Sequence, residues 1–362
     1  MAAKQLDYFA GDHTAKGFYH FYSSNLQSIR QGIVCNGKIP SIKTDFMKEM
    51  ANKWTKEGFD VEIIHSSSIK NGIDCVINRE LSIAIYDGDL LKLEFQGTII
   101  KKLDLDAELN QEAQMIEKES KKLVNERMNI AFQNAHVSFK KGLYVHDGLE
   151  EIYINNMDFH KLNKLAQRMT KDWLSEGKEL TKKAVIKHRF FGAVTPKGMV
   201  DFIPQLTTDC HKRWLIKGRA GTGKSTLLKK VADEVSKKGY NVELYHCGFD
   251  PESIDMVVAR EIGFCAFDST PPHEYFPERE GDILIDIYEE AVEPYTDEKY
   301  GKAIEILTDR YKSFMKKGAE YLVQANKLNE EWEQRFNNSI SMHKRDKLLE
   351  EVFVRSLRNK RS

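Results

Sequence analysis

The residues with the clearest chemistry are Gly218-Arg219-Ala220-Gly221-Thr222-Gly223-Lys224-Ser225-Thr226. Glycines at this spacing, followed at once by a lysine and two hydroxyls, let consecutive backbone N–H groups turn inward on an anion. An apolar run, Trp214-Leu215-Ile216, precedes them, and a helix-like segment, Leu227 to Lys237, follows. This strand–loop–helix context is the one a phosphate-binding loop needs. The chemistry implied is capture of a nucleoside di- or triphosphate, ATP or GTP, with Mg2+. Lys224 would reach the β- and γ-phosphates, Ser225 would hold the metal, and Thr226 would lie near the α-phosphate. Arg219 either touches the γ-phosphate or faces solvent.

A second magnesium handle is expected at Asp268, which ends the apolar run Ile262–Phe267. Ser269 follows it, where many ATP-driven motors place a water-activating glutamate, so a fast motor of that kind is not expected. Asp250 and Asp255 follow the strand Asn241–Cys247 at the carboxyl edge, where ligands of such sheets bind. Each is either a catalytic acid or a cap for a helix starting at Pro251-Glu252-Ser253. With no dedicated glutamate base in view, Asp250, Asp255 or Glu261 would have to orient water.

The elements that must position these groups occur twice. Shifted by 181 positions, Gly37 falls on Gly218, Lys43 on Lys224, Thr44 on Ser225, His65 on His246, Asp74 on Asp255, Arg79-Glu80 on Arg260-Glu261, and Asp87 on Asp268. Two domains follow, 1–182 and 183–362. The first copy has Pro40 against Gly221 and Ile42 against Gly223. Proline offers no N–H, and isoleucine crowds the phosphate path, so this copy should bind nucleotide weakly or not at all. Arg79 and Arg260 with their glutamate neighbours survive in both copies, which suggests ion pairs or an interface. Lys16 and Lys197 survive in the same way.

The pieces Tyr8-Phe9-Ala10-Gly11, Thr14-Ala15-Lys16-Gly17, His246-Cys247-Gly248-Phe249-Asp250-Pro251, Phe267-Asp268-Ser269-Thr270 and His273-Glu274-Tyr275-Phe276-Pro277 resemble a little-characterised family of bacterial P-loop ATPases. That family carries two tandem nucleotide-binding-like repeats and occurs mainly in spore-forming Gram-positive bacteria. The resemblance spans nearly the whole chain and implies a P-loop NTPase fold, with no substrate or pathway. The family pattern has an intact loop in the first repeat as well. Gly37-Lys38-Ile39-Pro40-Ser41-Ile42-Lys43-Thr44 departs from it, so two-site binding is not carried over.

The expected fold is α/β: two tandem P-loop NTPase-like domains, each a parallel sheet flanked by helices and ending in a helical hairpin. The strands read as Leu6–Ala10 and Ile186–Val194, Ile33–Asn36 and Trp214–Lys217, Asp60–His65 and Asn241–Cys247, and Leu81–Tyr86 and Ile262–Phe267. Helices are expected over Phe18–Gln31 and Met199–Leu206. The hairpins read as Asp106–Lys141 with Asp147–Gly177, and Asp297–Lys317 with Ala319–Leu357. They should pack on their own repeat or the other one, with a coiled coil to a protein partner as the alternative.

The chain balances 55 basic against 55 acidic residues, so no field favours nucleic acid or an anionic membrane. The tail residues Arg355, Arg358, Lys360 and Arg361 read as a solvated helix end. No membrane-spanning run and no signal-peptide core is evident, and the five cysteines lack metal or disulfide spacing. A cytoplasmic protein is expected. Its leading function is a slow Mg-dependent ATPase acting as a switch. A small-molecule or nucleoside kinase, with a lid over Glu274–Asp282 closing on Asp250, Asp255 and His273, is one alternative. A nucleotide-stabilised scaffold is the other.

Overall fold

A computed structural model describes residues 3–90, 95–105, 111–174, 178–335 and 342–358. The protein is mixed α/β, and its centre is a single twelve-stranded sheet. The first repeat supplies β1 (Gln5–Phe9), β4 (Gln31–Asn36), β5 (Val61–His65), β6 (Ile73–Asn78), β7 (Ile83–Asp87) and β8 (Thr98–Asp104). The second supplies β9 (Ile186–Phe190), β12 (Lys212–Lys217), β13 (Val242–His246), β14 (Ile254–Ala259), β15 (Phe264–Asp268) and β16 (Asp282–Asp286). The order β16-β12-β15-β14-β13-β9-β1-β5-β6-β7-β4-β8 is a palindrome of the two repeats. Phe9 pairs antiparallel with Phe190, its own counterpart 181 residues on, so a pseudo-twofold axis passes between β1 and β9.

Within each half the strands run parallel except β6 and β14, which are antiparallel to both neighbours. These two segments are not among the expected strands. Their unbroken burial in β6 (Ile-Asp-Cys-Val-Ile-Asn) is what a central strand covered on both faces requires. The edge strands β8 and β16 were also missed. The strand expected over Ile186–Val194 is two strands, β9 and β10 (Gly192–Thr195). The helices expected over Phe18–Gln31 and Met199–Leu206 are instead hairpin strands followed by single turns. Here β2 (Gly11–Thr14) pairs with β3 (Gly17–His20) before α1 (Tyr22–Asn25), and β10 pairs with β11 (Gly198–Asp201) before α5 (Ile203–Leu206).

The axis is pinned by charge. Arg189 is 0% exposed and bonds Glu62 at 2.9 Å, Glu243 at 3.3 Å and the Asn25 carboxamide oxygen at 2.7 Å, with Tyr8 beneath its guanidinium. Glu62 and Glu243 are counterparts, and each holds a second arginine, Arg79 and Arg260 respectively. The ion-pair reading of those arginines is correct. Glu261 instead accepts from the Asn241 N–H at 2.7 Å and pairs with Lys182, before β15 and at the opposite end of that strand from Asp268.

The helical arms are exchanged. In the first repeat α3 (Gln111–Ile154) leads into α4 (Phe159–Leu174), and in the second α7 (Ile287–Ala291) leads into α8 (Thr296–Glu333) and α9 (Met342–Arg358). Leu162, Leu165, Ala166, Met169 and Trp173 of α4 share a core with Leu227, Leu228, Val231 and Val235 of α6 (Lys224–Lys237), in the other repeat. Leu349, Val352 and Phe353 of α9 likewise cover Phe46, Met47, Met50 and Trp54 of α2 (Pro40–Lys56). The hairpins thus pack on the opposite repeat.

Between the repeats α3 and α8 run antiparallel. Phe139 lies against Gly318, and Met315 against Gly142. The turns expected between Lys141 and Asp147 and between Lys317 and Ala319 do not occur, and α3 and α8 run through both places uninterrupted. The expected helix limits Asp106 and Gly177, and the tail residues Lys360 and Arg361, lie outside the described residues.

Candidate functional site

The loop 218–223 leaves the end of β12, and α6 starts at Lys224. Gly221 and Gly223 have φ of +73° and +80°, the left-handed region that side chains avoid. Thr222 is fully buried. Its hydroxyl donates to the Arg219 carbonyl at 2.8 Å and accepts from the Arg219 N–H at 3.2 Å, which fixes the bend. The first turn of α6 then points its N–H groups, unpaired within the helix, toward the loop.

Beside β12 runs β15, parallel and in register, with Ile216 opposite Asp268. Asp268 therefore ends next to the loop, its carboxylate 3.5 Å from the Lys224 ammonium. Lys224 also donates to the Arg219 carbonyl at 2.8 Å. The Ser225 hydroxyl accepts from the Ile254 N–H at 2.9 Å, which leaves a lone pair for a metal. The Asp268 carboxylate and the Ser225 hydroxyl are hard oxygen donors of the kind Mg2+ takes. Asp255 sits close by; burial first and the Asp268 charge second push its carboxyl up to about 7.

Arg219 is exposed, as one of its two expected placements has it, and its side chain pairs with Asp297 of α8 at 2.8 Å and lies over the Tyr288 ring. Two expectations need correction. No helix begins at Pro251, and Asp250 caps a turn while pairing at 3.3 Å with Lys16, which crosses from the first repeat. The segment Glu274–Asp282 is tied down rather than poised as a lid. His273 and Tyr275 both bond Asp201, Glu274 pairs with Lys217, and Asp282 takes a two-pronged bond from Arg213. The remaining loop residues Gly218, Ala220 and Thr226 lie where the loop reading puts them, with Thr226 exposed on the first turn of α6.

The structure brings in groups that nothing in the sequence points to. The exchanged arm of the first repeat lies directly on the loop. A Cβ on Gly221 would stand 2.5 Å from the Glu150 carbonyl, and one on Gly223 would stand 2.5 Å from Leu162 Cδ2. From the same turns of α3, the ligand atoms of His146, Asp147 and Glu150 gather within 4.8 Å of one another. Acidic groups of this kind are common without an ion, and Lys224 faces them, so we assign no metal to them. Burial raises the Glu150 carboxyl; burial and the Lys224 charge lower His146.

At the counterpart position in the first repeat the loop is gone. Helix α2 begins at Pro40, so the residues matching Gly221, Thr222 and Gly223 are already helical. Lys43 is 2% exposed and is held at 2.7 Å by both Asp87 and Asp89. Asp89 stands at the position of Thr270 and supplies a second carboxylate. Ile42 fills the core. The backbone turn is absent, and the lysine is already neutralised by two acids.

The chain matches no family model, no curated protein and no solved structure.

Proposed function

We propose that the second repeat is a P-loop NTPase domain that binds ATP or GTP with Mg2+ and hydrolyses it slowly, as a switch, and that the first repeat is its degenerate partner. The observation that carries this reading is the contrast between the two loops. One has two left-handed glycines, Lys224 beside Asp268, and a helix beginning at the lysine. The other has a continuous helix and a sequestered lysine. The same reading sets the chain beside the tandem-repeat bacterial P-loop ATPases it resembles.

The chain's own groups divide the work. The loop N–H groups and Lys224 would hold the β- and γ-phosphates and stabilise charge as the phosphoryl moves. Ser225 and Asp268 would hold Mg2+, which supplies charge neutralisation across those phosphates. The metal would offset the acids crowding Lys224: Asp268 stands 3.5 Å away, and Asp255 and Glu150 lie within reach of its charge.

The helical arms would carry the switch outward. Leu123, Ile130, Val137 and Tyr144 repeat every seven residues along α3 and are 53–82% exposed, the pattern of a face for a partner helix. No helix of the described residues is long and apolar enough to cross a membrane. The cysteines are free, four of them buried, which suits a reducing, cytoplasmic setting.

Phosphate release by the purified full chain with Mg-ATP and Mg-GTP tests the reaction. Free phosphate without an acceptor supports the hydrolase. Label recovered only on an added metabolite would make the protein a kinase.

A further inference from the structure

We propose that Glu150, delivered by the first repeat's arm, is the catalytic base that orients the attacking water at the second repeat's loop. This rests on the nucleotide reading above and supplies the group that reading lacks.

Among the described residues, the second repeat's own candidates are already engaged. Ser269, next to Asp268, is fully buried, donating to the Tyr275 carbonyl at 2.7 Å and accepting from the Tyr275 N–H at 2.9 Å. Asp250 is paired with Lys16, and Glu261 lies at the far end of β15. Asp255 bonds the Cys247 thiol and adjoins Asp268.

Glu150 is placed differently. Its main chain packs on Gly221, so it cannot shift without moving α3 off the loop. Its carboxylate is partly open to solvent, 3.6 Å from His146 Nδ1, and near enough to Lys224 to feel its charge. Glu150 thus stands over Gly221 and beside Lys224, where it could hold a water near a phosphate bound in the loop.

The degenerate repeat provides an internal comparison. There the α8 arm also brings a carboxylate to the loop position, with Glu333 accepting from the Ser41 N–H at 3.3 Å, but Lys43 is already held by Asp87 and Asp89 and the residues matching the cradle are helical.

In the step itself, the water oxygen bonds to the γ-phosphorus while the bond from that phosphorus to the bridging oxygen breaks. The electron pair leaves on the nucleoside diphosphate. The water proton passes to Glu150 and from there to solvent or the released phosphate. Transfer of this kind is worth about 100- to 10,000-fold in rate.

The test uses the full chain: wild type, Glu150→Gln, Glu150→Asp, and Glu151→Gln as a control from the exposed face of the same turn. Binding is read with a fluorescent ATP analogue plus Mg2+, turnover by phosphate release, and folding by thermal melting. The expected result is unchanged analogue affinity and melting for Glu150→Gln, with kcat lowered about 100-fold or more, partial activity for Glu150→Asp, and wild-type turnover for Glu151→Gln. Glu150→Gln turning over within threefold of wild type would overturn this inference and leave the nucleotide site standing. So would joint loss of binding and turnover in that variant, or a wild-type chain that binds nucleotide without releasing phosphate. A wild-type chain that binds no nucleotide would overturn both readings.

Discussion

Substituting Gly223 with alanine tests whether the exchanged arm really sits on the loop. At φ of +80° an alanine costs about 1–2 kcal/mol. Its Cβ would also stand 2.5 Å from Leu162 Cδ2, and forcing a methyl into a packed site adds about 1–3 kcal/mol. Gly223→Ala should therefore destabilise the chain by about 2–5 kcal/mol, the sum of those two costs. Leu162→Ala alone removes a buried side chain and should cost about 2–5 kcal/mol. In the double variant the steric part disappears while the backbone part stays. The pair should be more stable than the sum of the singles by about 1–3 kcal/mol. Gly221→Ala provides the contrast, because its Cβ would meet the backbone of Glu150 and no side-chain trimming can relieve that. Urea unfolding of the four proteins without nucleotide gives the cycle. Additivity within about 0.5 kcal/mol would mean that α4 of the first repeat does not cover this loop, and the packing argument would fail.

Arg189→Met should cost about 2–4 kcal/mol in the same assay, at the low end for breaking a buried pair because Glu62 and Glu243 each keep another arginine; a loss below about 0.5 kcal/mol, the scale of an ordinary surface change, would contradict the central role given to it. His246 is held neutral in the fold: its Nδ1 faces the Pro251 carbonyl and so must donate, and burial lowers its pKa to about 4. The unfolded chain then takes up the proton first, so stability is complete above about pH 6.5 and falls toward pH 4, by about 2–3 kcal/mol from this residue. Thermal melts of wild type and His246→Asn across that window check it, since the variant should lose that part of the slope. Nucleotide affinity should collapse when Mg2+ is chelated and drop about tenfold or more in Asp268→Asn; metal-independent binding of equal strength would refute the charge argument.

Much of the fold was legible because the chain states it twice. The seven strand pairs from β1 and β9 through β7 and β15 recur at the same 181-residue shift. The loop and Asp268 were legible for a different reason: their chemistry is local in sequence, and two adjacent parallel strands suffice to join them. What stayed hidden was set by distant partners. The alternation of β3 and β11 was read at helical period because each is only four residues long. Nothing local to α3 or α8 says which repeat it covers, since either copy of the loop helix presents an apolar face. Glu150 fell near the start of an expected helix and His146 in the turn before it, and only the exchange of arms brings them to the loop. The fate of Lys43 was half visible. Pro40 and Ile42 foretold the lost cradle, but the second acid, Asp89, gains meaning only when seen against Lys43.

Because α9 covers α2, and α4 covers α6, neither repeat can be judged by cutting the chain at residue 182. The decisive measurement is calorimetric titration of the intact protein with Mg-ATP and Mg-GTP, alongside Lys224→Ala and Lys43→Ala variants. One site per chain should be found, abolished by Lys224→Ala and untouched by Lys43→Ala. Two equivalent sites, no heat with either nucleotide, or a site lost with Lys43 instead would contradict the account.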